Sequence, residues 1–228
     1  MKGSITGIVP VKGSSERVKQ KNLRDFAGTS IYEIKLNQLK EAEGFEDIIV
    51  SSEDETVLEI AKNNGFNIHN RDPKYSTSHI PMSEVYSYIA AEIGGENIAW
   101  INVTNPLAGP KIYSEATKKY HDIDKKYDCL LSSINLQENV FYQGKPINFS
   151  PYPWPKSQDL QGLASLTFTI NILKRKDMIK WGSCVGESPY FYYLDKIESW
   201  DIDDQADFDF CEMIYKKKLH IPKAHKEK

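Results

Sequence analysis

Short apolar runs and helix-length amphipathic stretches alternate along the first half of the chain. The run from Ile5 to Val11 is apolar and β-branched enough for a buried strand, and runs of similar texture cover residues 48–50 and 66–69. Pro10 suits the point at which the first strand leaves its ladder. Because helical stretches separate these runs, the pattern predicts parallel strands joined by right-handed crossovers.

The stretches between these runs predict two helices. Ser30 is a candidate N-cap for the first, with Glu33 as its capping-box partner, and Gly44 is its expected end. The second is expected to stop at Gly65. The apolar positions are Ile31, Ile34, Leu36 and Leu39 in the first helix and Val57, Leu58, Ile60 and Ala61 in the second. A sheet of this kind binds ligands at the carboxyl ends of its strands.

The same alternation continues to about residue 133. We expect helices over 83–93 and 112–120, a strand that begins at Asn97, and another strand over 127–133. The resulting fold class is α/β, with a mainly parallel sheet flanked by helices, in a single domain that covers residues 1–228.

Residues 135–165 form the predicted arm or lid of this domain. The stretch is rich in Pro, Tyr, Gln and Asn, which excludes a central strand or a helix. Exposed apolar side chains on an arm usually meet a partner surface, so we expect one here. The aromatic residues concerned are Phe141, Tyr142, Phe149, Tyr152 and Trp154.

Composition narrows the class of protein. A hydrophobic content of 40% and a charged content of 27% are ordinary for a globular chain of 228 residues, and a net charge of −3 argues against a general nucleic-acid surface. The three cysteines are too scattered for a disulfide framework or a zinc site, which indicates a reducing, cytoplasmic location. No apolar run approaches the ~20 residues of a membrane span, and the first residues do not resemble a signal peptide.

The loop after the first strand combines small residues with cations. The small residues are Gly13, Ser14 and Ser15, and the cations are Lys12, Arg17, Lys19 and Lys21. Uncovered backbone N–H groups beside positive charge make a concavity suited to polyphosphate. A solvated basic turn is the alternative, since the loop has neither the Walker spacing nor G-x-G-x-x-G.

An acidic stretch near residue 200 is the second candidate site. Asp201 and Asp203 lie two apart, and at a strand end they would project to the same side and share one hard cation. The alternative is a helix start, with Asp204 as the cap and Asp207 as its box partner. Both interpretations can hold together, with one pair of aspartates binding metal and the other capping the helix.

These motifs resemble those of the acylneuraminate cytidylyltransferase family, which is related to the CMP-Kdo synthetases. The segment that starts at Pro10 and ends at Lys21-Asn22 resembles the signature P-A-R-x-G-S-K-x-x-x-K-N, and the stretch from Asp201 to Asp207 resembles I-D-I-D-T-x-x-D. The resemblance implies a Rossmann-like fold with a dimerisation arm, and therefore a homodimer. It also implies transfer of CMP from CTP to an acidic 2-keto sugar, with Mg²⁺ as cofactor and release of pyrophosphate.

The resemblance also implies roles for individual residues. Those implied in catalysis are Lys12, Lys21 and Asp203, and the implied Mg²⁺ ligands are Asp201 and Asp203. The implied nucleotide contacts are Val11, Lys12, Gly13, Ser14, Ser15, Lys21, Asn22, Arg71 and Ile80. The implied acceptor contacts are Asn102, Thr104, Asn105 and Gln158.

Several of these assignments have a plain structural alternative. Arg71, the implied cytosine contact, could be a surface arginine paired with Asp72. The polar residues after Asn97 could form a loop that satisfies its own hydrogen bonds. The segment after Val50 resembles V-S-T-D, which implies a strand end close to the nucleotide, but its acidic residues are better explained as a solvated helix start. No histidine is placed as a general base, since His69 and His79 both read as surface residues.

Departures from the family pattern keep other functions open. Lys12 replaces the usual arginine, Glu16 the usual lysine and Ser78 the usual aspartate. The R-x-N-G element that holds the acidic sugar is absent from residues 164–171, and the His-His-Pro element is replaced over residues 136–139. The alternatives are a nucleotidyltransferase with another small acidic acceptor, such as a phosphonate, and a non-catalytic nucleotide-binding protein.

Overall fold

A central sheet with helices on both faces carries the candidate site. The computed structural model of the chain describes residues 3–13 and 18–220. Its strands are β1 Ile5–Pro10, β2 Asp47–Ser52, β3 Asn67–Asn70, β4 Asn97–Trp100, β5 Cys129–Leu136, β6 Phe141–Tyr142, β7 Lys145–Pro146, β8 Leu163–Lys174 and β9 Pro189–Tyr193. Its α-helices are α1 Ile31–Lys40, α2 Glu55–Asn63, α3 Met82–Glu92, α4 Pro110–Asp122, α5 Arg175–Trp181 and α6 Gln205–His220.

The main sheet has seven strands in the order β3-β2-β1-β4-β8-β5-β9. Strands β1 to β4 run parallel, β8 is antiparallel to β4 and β5, and β9 is parallel to β5. The prediction of a mainly parallel sheet flanked by helices is therefore confirmed. The antiparallel strand β8 was not predicted, although the alternation of Thr167, Thr169 and Asn171 with apolar neighbours is a strand signal.

Alternating strand residues supply a core on each face of the sheet. Val9 packs in one cluster with residues of α1, α2 and α4, whereas its neighbour Ile8 packs in another with residues of α3 and α5. Burial of one such side chain contributes about 1.5–3 kcal/mol. A third cluster joins α1 to α6, where Phe208 meets Phe26. The helix that begins after the acidic stretch is thus packed against the helix that follows the cationic loop.

Helix boundaries follow local chemistry. Ser30 caps α1 by accepting from the Glu33 N–H at 3.1 Å, and its hydroxyl donates to the Glu33 carboxylate at 2.8 Å. Gly65 follows α2 with φ of 81°, as expected for a helix stop. The expectation for Gly44 was wrong, because α1 already ends at Lys40 and the positive φ of Gly44 belongs to the loop that leads to β2.

Most of the predicted arm, residues 137–162, lies between β5 and β8 and carries its own small hairpin, whereas the two ends of the predicted range belong to these two interior strands of the main sheet. Strands β6 and β7 pair antiparallel and are not part of the main sheet. The Asn148 amide ties the segment together by donating to the carbonyls of Glu138 and Gln161. Large aromatic side chains remain exposed on it, among them Tyr152 at 88% and Trp154 at 65%. Of the helices described, none has the length and apolar character that a membrane crossing requires.

Candidate active site

Four parallel strands end at one edge of the sheet and open a cavity there. The chain turns to one side of β1 to build β2 and β3 and to the other side to build β4, so the cavity lies where ligands bind in such sheets. It has a volume of about 400 Å³. Of the residues predicted to form the site, Lys12, Lys21, Asn22, Arg71, Asn102 and Thr104 line it.

The cationic loop is fixed at its two ends. The Val11 N–H continues the strand ladder by donating to the Ser51 carbonyl at 2.9 Å, and the buried Asn22 amide donates to the Lys12 carbonyl at 3.0 Å. Asn22, which also lines the cavity, therefore holds the start of the loop against its end. The predicted phosphate contacts Ser14 and Ser15 lie outside the described residues, as do Glu16 and Arg17.

The cationic loop and the acidic stretch meet although they are far apart in sequence. Lys21 Nζ donates to the carbonyl of Ile202 at 2.5 Å, and Ile202 is the residue between Asp201 and Asp203. The Ile202 N–H in turn donates to the Thr104 carbonyl at 2.9 Å. These bonds hold the segment of the acidic pair beside Lys21 and Thr104, which line the cavity, although Asp201 and Asp203 are not themselves among the lining residues.

The local backbone of the acidic pair differs from the prediction. Residues 201–203 are not a strand end but an extended loop that leads into α6. The helix-start interpretation of the other two aspartates is confirmed, because the Asp207 N–H donates to the Asp204 carboxylate and the Asp207 carboxylate accepts from the Asp204 N–H. The loop is held by Thr104 rather than by a strand ladder.

Asp201 is a largely buried carboxylate whose surroundings act on its pKa in opposite directions. Burial raises its pKa, the Thr104 hydroxyl and Lys21 lower it, and the neighbouring Asp203 raises it. Among the described residues, none gives Asp201 Oδ1 a hydrogen bond although that atom is buried. Nowhere in 3–13 and 18–220 do three or more His, Cys, Asp or Glu side chains form a group able to hold a metal ion. Two carboxylates suffice for Mg²⁺ when phosphate oxygens and water complete the shell, so the pair fits that ion.

Arg71 is a buried anchor rather than a surface residue. It is 2% exposed, and its guanidinium pairs with Glu53 at 2.5 Å while donating to the Val11 carbonyl at 2.7 Å. Asp72 instead accepts from the Lys74 N–H. The alternative of a surface arginine paired with Asp72 was therefore wrong, and Arg71 joins β3 to the end of the β1 ladder.

Glu53 completes this anchor and was missed by sequence reasoning. Its Oε1 accepts from the Gly13 N–H at 3.1 Å, and its Oε2 accepts from Ser76 at 2.6 Å as well as from Arg71. Burial would raise the pKa of Glu53, but the hydrogen bonds from Ser76 and Arg71 outweigh that and lower it. Only the neighbouring Asp54 fits the helix-start interpretation, since it caps α2 through the Val57 N–H. The available signal was a carboxylate directly after a buried strand.

The predicted acceptor contacts divide into two groups. Asn102 and Thr104 line the cavity. Asn105 is fully buried behind its wall, where its amide donates to the carbonyls of Ser199 at 3.0 Å and Trp200 at 3.3 Å. Neither prediction describes Asn105: its amide bonds run to a separate loop more than 90 residues later in the chain, not within its own loop, and its buried Oδ1 accepts no hydrogen bond from the described residues. Gln158 is exposed on the arm and does not line the cavity of its own chain.

An apolar section of the cavity wall was also missed. Tyr86 and Trp100 meet edge to face at 4.6 Å and line the cavity together with Met82 and Val85. These residues follow from α3 packing against β4, and they give a flat ring a surface to lie on. Ile80, a predicted nucleotide contact, packs against the adjoining core cluster and is not among the lining residues.

Comparisons with known proteins agree on the family. A family model described as cytidylyltransferase matches residues 6–218. N-acylneuraminate cytidylyltransferase A of Danio rerio is 24% identical over 91% of this chain and 50% of its own length. Pseudaminic acid cytidylyltransferase of Campylobacter jejuni is 23% identical over 92% of this chain and 95% of its own. The chain thus spans about half the length of the first relative and nearly all of the second.

A solved structure shares the fold. CMP:2-keto-3-deoxy-manno-octonic acid synthetase, in a complex with CTP, superposes with a TM-score of 0.68 at 14% identity, covering 95% of this chain and 100% of that one. At that identity the likeness concerns the fold.

Proposed function

The chain belongs to the cytidylyltransferase family, and from that premise we propose that it transfers CMP from CTP to an acidic 2-keto sugar, with release of pyrophosphate. The observation that carries the proposal is the bond from Lys21 Nζ to the Ile202 carbonyl, at 2.5 Å. It joins the cationic loop to the segment that carries the acidic pair, next to a cavity that Lys12 and Lys21 line. A triphosphate at the carboxyl ends of the strands would lie between the two.

Lys12 and Lys21 are the proposed partners of the triphosphate. In an in-line attack the acceptor oxygen forms a bond to the α-phosphorus while pyrophosphate leaves with the electron pair of the broken P–O bond, and the acceptor hydroxyl loses its proton. Negative charge grows on the phosphate oxygens, and each well-placed cation stabilises it by a few kcal/mol. Neither His69 nor His79 lines the cavity, so neither is proposed as the base.

Asp201 and Asp203 are the proposed ligands of Mg²⁺. When bound, the ion would neutralise charge on the triphosphate oxygens. The orphaned, buried Asp201 Oδ1 supports this assignment, because a buried carboxylate oxygen needs either a hydrogen bond or a cation. Lys21 keeps the two carboxylates at a set distance from the cationic loop by holding the carbonyl between them.

Arg71 and the apolar wall are the proposed surroundings of the cytosine ring. Tyr86 and Trp100 offer a face on which a ring can pack. Arg71 fixes the Val11 carbonyl beside them and brings positive charge to the cavity, although much of its guanidinium is already engaged by Glu53 and Ser76.

The acceptor is proposed to lie against Asn102 and Thr104, and its identity has two candidates. The relatives named for N-acylneuraminate and pseudaminic acid favour a nine-carbon keto acid. One observation favours a different acid: in β8, where the family's R-x-N-G would fall, the only cation is Lys174, at the far end of the strand. Without an arginine there, the acceptor's carboxylate has no obvious partner on this strand, and a smaller acid such as a phosphonate is the second candidate.

A homodimer formed through residues 135–165 is also proposed. The arm exposes Phe141, Tyr142, Tyr152 and Trp154, and Gln158 stands on it away from its own cavity. A partner subunit would cover the aromatic side chains and would receive Gln158 near its acceptor.

Pyrophosphate release is the direct test. The purified protein is incubated with CTP or UTP, with Mg²⁺ or EDTA, and with a panel of N-acetylneuraminate, pseudaminate, Kdo and a phosphonate. We expect release only with CTP, Mg²⁺ and one of the acids, and the acid that works separates the two candidates. A folded protein that binds CTP by calorimetry but releases no pyrophosphate with any acid contradicts the enzyme and supports a binding protein.

A further inference from the structure

A lysine lies inside the core behind the acidic pair. Lys35 is on α1 and is fully buried, with Tyr32 and Leu36 on the same helix packed into the core beside it. Burial lowers its pKa to about 7, and attraction to Asp201 opposes that shift. A buried amine is unfavourable unless its hydrogen bonds are satisfied, so its contacts indicate what it does.

Lys35 and Gln38 donate hydrogen bonds to two consecutive carbonyls of the loop after β4. Lys35 Nζ donates to the Asn105 carbonyl at 2.9 Å, and Gln38 Nε2 donates to the Pro106 carbonyl at 2.6 Å. The two side chains are three apart on α1 and therefore share one face of the helix. Tyr113 of α4 supports the ammonium through its hydroxyl and through its ring, whose centroid is 4.7 Å from Nζ.

The loop after β4 in turn holds the segment that carries the acidic pair. The Asn105 amide donates to the Ser199 and Trp200 carbonyls, at 3.0 and 3.3 Å. The Thr104 carbonyl accepts from the Ile202 N–H at 2.9 Å, and the Thr104 side chain hydrogen-bonds to Asp201. Residues 199–203 have no strand ladder of their own, so these bonds, together with those made by Lys21 and Asp207, set the position of the carboxylates.

We propose that Lys35 and Gln38 are positioning residues for Asp201 and Asp203. They act from α1 through residues 104–106, and neither touches the cavity. The importance of the acidic pair rests on the proposed function, whereas the mechanical link rests on the hydrogen bonds alone. A lysine at the fourth position after Ile31 in an apolar helical stripe was the sequence signal for this role.

The mechanical link is tested without substrate. Hydrogen–deuterium exchange is measured on the ligand-free protein for wild type, Lys35→Met and Leu36→Met. We expect Lys35→Met to accelerate exchange of the Ile202 amide at least tenfold and to loosen residues 199–203. The control Leu36→Met repacks the same helix without touching a polar contact, and its exchange in that segment is expected to match wild type.

The metal dependence is tested in turnover. In Lys35→Met the Mg²⁺ concentration for half-maximal pyrophosphate release should rise about tenfold, while the KM for CTP at saturating Mg²⁺ stays within twofold. If Lys35 were merely structural, its replacement would lower the stability of the protein but would not raise the Mg²⁺ requirement separately from the KM for CTP. If wild type releases no pyrophosphate, the proposed function fails, but the exchange experiment still decides the positioning role.

Two results overturn the proposal. One is a folded Lys35→Met protein whose exchange over 199–203 equals that of Leu36→Met. If Lys35→Met does not fold, the half-buried Gln38 provides the second variant. Gln38→Leu is expected to accelerate exchange of the Ile202 amide about threefold. Exchange of this amide at the wild-type rate in Gln38→Leu is the other result that overturns the proposal.

Discussion

The proposed nucleotide side of the molecule, meaning the cavity with the cationic loop, Arg71 and the acidic pair, is built differently from the arm. On the nucleotide side, hydrogen bonds join residues far apart in sequence, as from Lys21 to Ile202 and from Arg71 to Val11. In the arm the contacts of Asn148 are local, and Tyr152 and Trp154 stay exposed. Long-range hydrogen bonds therefore fix the nucleotide side, whereas the arm is held by local bonds and exposes apolar surface. Substitutions in the two regions should fail in different ways.

The largest loss of turnover is expected when one carboxylate of the acidic pair is removed. Asp203→Ala should lower kcat roughly 10²–10³-fold, because charge stabilisation of that size is lost with one well-placed group. Its fold should remain intact, since Asp203 is exposed. Steady-state pyrophosphate release measures the effect. The matched control is Asp209→Ala, an exposed aspartate on α6, and turnover of the two variants within tenfold of each other would contradict the role.

Glu53→Gln removes the carboxylate that anchors Arg71 and the start of the cationic loop. Leaving Arg71 buried without its anion should destabilise the protein by about 3 kcal/mol. The KM for CTP should rise about tenfold, because Gly13 and Val11 lose their common support. Urea unfolding and steady-state kinetics measure the two effects. Glu55→Gln, two residues along and exposed, is the control, and equal stability of both variants would refute the anchor.

The same carboxylate predicts a pH dependence of stability. Hydrogen bonds from Ser76 and Arg71 lower the pKa of Glu53 in the folded protein, so ionised Glu53 favours folding. This contribution is complete above the unfolded pKa of about 4.3 and disappears as the pH falls through the lower folded value. The stability gap between wild type and Glu53→Gln should therefore narrow below about pH 4. A gap that stays constant from pH 7 to pH 3 would contradict this assignment.

Substitution in the arm should leave the nucleotide side untouched. Tyr152→Ser combined with Trp154→Ser removes exposed rings, so the unfolding free energy of the monomer should change by no more than about 0.5 kcal/mol. Light scattering should show loss of the dimer, and the acceptor KM should rise several-fold with the CTP KM unchanged. Met213→Ser, exposed on α6, is the control. If the double variant remains a dimer, the arm is not the dimer interface.

The smallest effect tests a departure from the family pattern. Lys12→Arg should change kcat/KM for CTP by no more than about threefold, toward tighter binding, because a guanidinium can contact two phosphate oxygens where an ammonium contacts one. Steady-state kinetics at varied CTP measures it. Tenfold weaker binding would mean that the loop is shaped around the smaller cation.

The same division explains how far the sequence could be interpreted. Strands β1 to β4 and the caps at Ser30 and Asp204 follow from periodicity and local hydrogen bonding, which single residues reveal. Local patterns mark Glu53 and Lys35 as unusual positions but do not identify their partners, which lie 18 and 70 residues away in the chain. The meeting of Lys21 with the acidic pair was expected only because motif resemblance supplied what periodicity could not.

The position of β8 has a mechanical consequence. β5 runs parallel to β4, β8 returns antiparallel between them, and residues 137–162 are the tip of that large hairpin. The tip consequently emerges at the same edge of the sheet as the cavity, and its return limb is an interior strand rather than a peripheral one. A second subunit bound to the tip would therefore rest on the end of an interior strand next to β4 and not on the rim of the sheet.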